Sequence, residues 1–331
     1  MRPTALIAAS LALCVAGTLP DAVAQKAPVP YRLVTTIELP GEKGGASGAA
    51  AFDPDTRTIW LPHAPSHSLM VIETATNSLR QTIDGIDSPS GVSFSEHYAF
   101  VADAANGAAV VIGKRSLEKA TTLRPVGAQP DGTYFDSREG ALWVAAEDGE
   151  MTVFKAVGRG GFKRLAGLKL RPASADAKSG TGFFLSSRDR LYQPLGAQIA
   201  VIDSKSRKVE RSWTIETRGQ IVSLAYDTKT DRVLAACEAG MVVVVDAKTG
   251  RTVGKLQIKG KAGAISSDAA LRRAYVADAA GLIDVLDLDR NVIIASLPTD
   301  PGVRNLVADP STHYLYVYRD RVNKMDVLAP Q

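Results

Sequence analysis

One feature constrains this chain more than any other: a large apolar residue inside a short β-rich run keeps returning at a near-constant interval. The anchors are Trp60, Phe100, Trp143, Tyr192, Leu234, Tyr275 and Tyr316, separated by 40, 43, 49, 42, 41 and 41 residues. Five of the seven have an aspartate seven positions earlier, at Asp53, Asp136, Asp227, Asp268 and Asp309. Ten to twelve residues after each anchor a further β-rich run ends, as in Met70-Val71-Ile72, Val110-Val111-Ile112 and Val243-Val244-Val245. Three marks agreeing over seven units describe one supersecondary module used repeatedly, which must stack on its neighbours to bury its faces.

The fifth unit shows the module most clearly. Ile221 to Tyr226, Arg232 to Ala236, Met241 to Val245 and Thr252 to Ile258 read as four strands, divided by Asp-, Gly-, Lys- and Thr-rich turns. The second and third runs are almost continuously apolar, as expected for strands covered on both faces. A four-stranded sheet of this length, repeated, reads as a propeller blade. From Tyr31 to Gln331 there are 301 residues, 43 for each of seven units. The last unit stops after its third strand, near Leu328, and Leu33 to Leu39 matches the outer-strand pattern of Arg211 to Ile215 and Gly254 to Ile258. The expected fold is therefore all-β: a seven-bladed β-propeller of four-stranded blades. Residues 31–40 supply the outer strand of the last blade and so close the ring, and residues 25–331 form one domain.

The N-terminus speaks to compartment. Arg2, the apolar run from Ala5 to Ala16, and Ala22-Val23-Ala24 read as the three regions of a signal peptide over residues 1–24, cleaved near Ala24. A lipobox reading of Leu11-Ala12-Leu13-Cys14 lacks the small residue wanted before the cysteine. The expectation is a periplasmic or secreted protein, monomeric, with no membrane span, since no later run approaches the ~20 apolar residues that one needs. Cleavage removes Cys14 and leaves Cys237 as the single thiol, inside a strand-like run. Two cysteines, four histidines and no C-x-x-C-H exclude a disulfide scaffold, a cysteine-based zinc or iron–sulfur site and covalent c-type haem.

Several short patterns carry a family resemblance. Phe100-Val101-Ala102-Asp103 and Tyr275-Val276-Ala277-Asp278 resemble the Tyr-Val-Thr-Asn signature of YVTN-repeat β-propellers. Val201-Ile202-Asp203 and Val245-Asp246-Ala247-Lys248-Thr249-Gly250 resemble that family's Val-Ile-Asp-x-x-Thr turn. Pro89-Ser90-Gly91 and Pro130-Asp131-Gly132 resemble its Pro-x-Gly entry to the inner strand. The resemblance covers the whole mature chain and points to the periplasmic YncE-like branch. Trp60-Leu61-Pro62, Trp143-Val144-Ala145, Tyr192-Gln193-Pro194 and Tyr316-Val317-Tyr318 depart from the motif. The signature is structural and assigns no catalytic residue.

Propellers bind at the loops that enter their inner strands, around the mouth of the axial tunnel. Aligning the units on Phe52, Phe94, Phe135, Phe184, Tyr226, Ser267 and Ala308 brings Gln129, Asp131, Lys178, Gln220, Lys261 and Arg304 towards the axis, with Arg218 just upstream. These seven are the candidate ligand-binding residues, and their cations facing one acid suggest an anion-preferring mouth. The stretch from Lys155 to Arg211 carries 13 Lys/Arg against 4 Asp/Glu, although the whole chain is only +4. Solvated turns account for most of that surplus, and an anionic ligand or protein partner, with weak nucleic-acid binding included, for the remainder. His63-Ala64-Pro65-Ser66-His67 has helical metal spacing, but Pro62 and Pro65 argue for an exposed loop, and no metal is expected. His97 and His313 fall in turns and are expected to face solvent.

No cofactor is implied. Asp246 to Val253 resembles part of a quinone-propeller repeat, but Val253-Gly254 stands where that repeat needs a docking tryptophan. The leading reading is a binding or scaffold module. The alternatives are a lactonase-type hydrolase or lyase at the tunnel mouth, and an accessory subunit of a periplasmic redox enzyme. No catalytic set can be matched residue by residue.

Overall fold

A computed structural model describes residues 30–44, 48–158, 160–172 and 174–331. The expected signal peptide lies outside them. The described strands form seven four-stranded antiparallel sheets, arranged in a ring as the repeat requires. The inner strands, from blade one to blade seven, are Ala51–Asp53, Pro89–Phe94, Pro130–Asp136, Phe183–Leu185, Ile221–Asp227, Ala262–Asp268 and Asn305–Asp309. Among the described residues no helix is long and apolar enough to cross a membrane.

All seven anchors lie in second strands and are at most 2% exposed. Their side chains pack from one sheet to the next: Phe100 and Val111 of blade two meet Leu142, Val144 and Phe154 of blade three. Each blade face is thus buried only because a neighbour covers it, so the continuous apolar runs of the sequence become inter-blade core.

The aspartate mark has an equally local cause. Asp268 Oδ1 accepts from the backbone N–H groups of Ala270 and Leu271, both at 3.0 Å, and Asp136 Oδ1 accepts from those of Arg138 and Glu139 at 3.0 and 3.1 Å. These side chains close the hairpin between inner and second strands. Several also tie one blade to the next. Arg272 of blade six clasps Asp227 of blade five at 2.5 and 2.7 Å, and Lys114 of blade two reaches Asp53 of blade one at 2.9 Å. Burial opposes ionisation of Asp227, but the Arg272 guanidinium, the Thr230 hydroxyl and the Lys229 N–H outweigh it and hold the carboxyl below its usual range.

Closure follows the expected pairing. Tyr31–Glu38 runs antiparallel to Lys324–Pro330, with Tyr31 opposite Pro330 and Glu38 opposite Lys324. Tyr31 Oη shares a hydrogen bond with Tyr275 Oη at 2.6 Å and accepts from Arg273 Nη1 at 2.9 Å, so the closing strand also grips blade six.

At the upper face, where the chain enters the inner strands, adjacent blades touch backbone to backbone. A Cβ on Gly91 would stand 2.7 Å from Gly132 Cα, and one on Gly263 would stand 2.5 Å from the Arg304 carbonyl oxygen. The Ala264 N–H donates to that same carbonyl at 2.8 Å. Glycine is needed in the Pro-x-Gly entry because the strands converge there.

Candidate functional site

The tunnel has two chemically different ends. At the upper mouth, Gln129 and Asp131 line a hollow of about 310 Å³ with Ser88, Glu147 and Ser179. Arg304 lines a neighbouring hollow of about 190 Å³ with Gly48, Val222 and Gly263. Gln220 accepts from the Lys178 backbone N–H at 2.7 Å and so fixes the loop that carries Lys178. Arg218 is exposed on the same face and lines neither hollow.

The charge of this mouth differs from a simple reading of the inner-strand entries. Lys178 Nζ lies 2.9 Å from Glu147, and Lys261 Nζ lies 2.8 Å from Glu238. Arg304 further stabilises the Glu238 carboxylate. The two acids come from turns between second and third strands, which an alignment confined to inner strands does not sample. The expected excess of cations over one acid is therefore offset. A sequence signal for it exists, because Glu147 and Glu238 each lie four residues after an anchor, Trp143 and Leu234.

Asp131 is the unusual member. Its Oδ1 is shut away from solvent without a hydrogen-bond partner, while the rest of the residue opens on the tunnel. Burial pushes its carboxyl up to about 7; a hydrogen bond with Ser179 works against this and the nearby Glu147 charge adds to it. Ser179 Oγ in turn accepts from Gln193 Nε2 at 2.8 Å, and the Gly182 N–H donates to Tyr134 Oη at 2.8 Å. Burial first, then the Asp131 charge, push the Tyr134 phenol well above its ordinary range. Gln193 explains one departure from the repeat: it follows Tyr192 where valine follows Phe100, Trp143, Tyr275 and Tyr316. The amide serves this polar cluster between blades three and four.

Below Asp131 the tunnel widens into a hollow of about 710 Å³ bounded by the inner strands of blades one to four. Phe52, Phe94, Phe135 and Phe184 line it, with Asp53, Asp55 and Glu96 at its lower rim. In the sequence these rings served only to align the units. Blades five to seven carry Tyr226, Ser267 and Ala308 at the corresponding positions.

Two expectations, for His63 and His313, are corrected. His63 ends the second strand Thr58–His63 and is fully buried, not in an exposed loop. Its ring nitrogens have no partner, burial lowers its pKa, and its ring meets Tyr318 edge-to-face at 6.0 Å. Pro65 sits in a single 3-10 turn, Ala64–Ser66, where a first-turn proline is tolerated. His313 does not simply face solvent, because its Nδ1 lies 2.7 Å from Asp268 Oδ2 across the junction of blades six and seven. The basic stretch is partly paired. Glu139, Asp148 and Asp231, which flank the stretch, pair with Lys155, Lys169 and Arg188, and Asp189 within it pairs with Lys205, so part of the surplus is offset. Cys237 is buried and burial pushes its thiol pKa up. Among the described residues no cluster of His, Cys, Asp or Glu could hold a metal ion.

No family model and no curated protein matches the sequence. Among solved structures, a chain of "Crystal Structure of Mitotic Checkpoint Complex" is similar over 98% of both chains, with a TM-score of 0.77 at 11% identity. The β-propeller domain of Cps50 (Swd1) from Myceliophteria thermophila is similar over 91% of this chain and 100% of that one, with a TM-score of 0.75 at 11% identity. A chain of Kuenenia stuttgartiensis hydrazine synthase is similar over 87% of this chain and 96% of that one, with a TM-score of 0.73 at 14% identity. At such identities the likeness concerns the fold. The class these comparisons define is one of fold alone, a seven-bladed β-propeller.

Proposed function

We propose that this chain is an exported, YVTN-type binding propeller of the YncE-like kind, working in the periplasm or outside the cell. Its upper loop face engages a charged protein partner. The observation that carries this reading is the repeated exposed pair at that face, Lys178 with Glu147 and Lys261 with Glu238, beside the exposed Arg218 and Arg304. Exposed ion pairs contribute little to stability in water, so their charges are free to exchange for those of a partner. The first structural neighbour comes from an assembly described as a complex, which supports a protein as the class of ligand.

The experiment is affinity purification of the tagged full chain from native periplasmic extract, beside a Lys178→Glu/Lys261→Glu double variant. A stoichiometric partner retained by the parent and lost from the variant, both melting alike, is the expected result. A partner held equally by both proteins would overturn the assignment to this face. Export is tested separately, by a mature N-terminus near Gln25 in the periplasmic fraction. A full-length chain in the cytoplasm would contradict it.

A further inference from the structure

We propose that the tunnel hollow bounded by blades one to four is a binding site for a hydrophobic amine, its ammonium against Asp131 and its apolar body among the phenylalanine rings. This inference concerns the tunnel beneath the upper loop face, which Asp131 borders on both sides, and stands without the preceding proposal.

The first argument is the missing counter-charge. Asp131 is a largely enclosed carboxyl with one oxygen unpartnered. A buried carboxylate is costly unless a cation or several hydrogen bonds compensate it. Elsewhere the protein supplies that cation, as Lys114 does for Asp53. Near Asp131 the nearest analogue, Lys178 Nζ, is already paired with Glu147. Among the described residues lining the hollow there is no Lys, Arg or His, yet Asp53, Asp55, Glu96 and Asp131 all line it. Lys114 offsets Asp53 and Asp55 from behind. Asp131 and Glu96 remain, one at the head and one at the exposed rim, and both favour entry of a cation.

The second argument is shape and surface. At about 710 Å³ the hollow falls within the range of roughly 300–1,000 Å³ usual for small-molecule sites. Phe52, Phe94, Phe135 and Phe184 come from four successive blades and give it an aromatic wall. Such rings bury an alkyl or aryl body and attract a cation passing over their faces. A carboxyl at the upper end and rings along the side define an amphipathic ligand with its charge leading. An anion would meet carboxyl groups at both ends.

Calorimetric titration of the full mature chain with methylamine, butylamine, octylamine and 2-phenylethylamine tests this, with 2-phenylethanol and phenylacetate as matched controls. One molecule of the larger amines binds, at least about tenfold more tightly than the alcohol, and phenylacetate does not bind. Asp131→Asn brings the amine down to the level of the alcohol, a loss of about tenfold or roughly 1.4 kcal/mol. Phe184→Leu weakens amine and alcohol alike. The proposal is overturned if no amine binds up to millimolar concentration, if the alcohol or the acid binds as tightly, or if a folded Asp131→Asn protein retains full amine affinity.

Discussion

Lys114 crosses from blade two to Asp53 of blade one at the lower face, both side chains 1% exposed, whereas Lys178 crosses from blade four to Glu147 of blade three at the upper face with side chains 63% and 37% exposed. The chemical pair is the same and the distance is 2.9 Å in both. Their consequences differ because solvent differs. The lower pair is locked among Thr56, Asp55 and the Phe94 ring, so removing one partner strands a charge without water. The upper pair is screened, and either partner can turn to water or to a ligand. The same repeat thus builds structure at one end of its strands and adaptable surface at the other.

The comparison breaks most readily at Lys114. Lys114→Met leaves Asp53 buried without its cation and should cost about 3–5 kcal/mol in urea unfolding. A loss below about 1 kcal/mol would place that pair with the exposed ones. Asp131→Asn comes next, and its sign depends on pH. The folded carboxyl titrates at about 7, above its ordinary 3.8. The folded state therefore holds a proton that the unfolded chain releases, and stability is lost as pH rises from about 4 through 7. Above pH 8 the asparagine variant should be the more stable by roughly 2–4 kcal/mol, and near pH 4 the two should melt together. An advantage independent of pH would show that the carboxyl is not held protonated. The smallest effect is expected at the upper face. Glu238→Gln frees Lys261 and should leave the urea midpoint unchanged, while altering the salt dependence of partner binding. A clear shift of the midpoint would make the upper pairs structural.

The fold was legible because the forces that build it repeat in register with the chain. Each anchor fills the space between two sheets, and each turn aspartate caps its own hairpin, so both recur at the blade period. The Pro-x-Gly entries were legible for the same reason, since every blade must approach the next at the upper collar. The site was legible only along the inner strands. Gln129, Asp131 and Arg304 line hollows there, but Glu147 and Glu238, which pair with Lys178 and Lys261, arrive from another hairpin, and their pairing is a property of blade juxtaposition. The setting of Asp131 includes Ser179, and through it Gln193, of the following blade, which lie 48 and 62 residues away in the sequence. The burial of His63 is not legible from the sequence because prolines usually mark loops, whereas Pro62 lies within a strand opposite Leu69.

The charge state of Asp131 tests the account most directly. A carbon-detected NMR titration of the aspartate carboxyls, with Asp131→Asn giving the assignment, should show a midpoint near pH 7 in the free protein. Saturation with 2-phenylethylamine should move that midpoint down, as an ammonium group comes to oppose the carboxylate. A midpoint at the ordinary 3.8 in the free protein, or one that the amine leaves in place, would contradict the claim that the tunnel holds a carboxyl lacking its counter-charge.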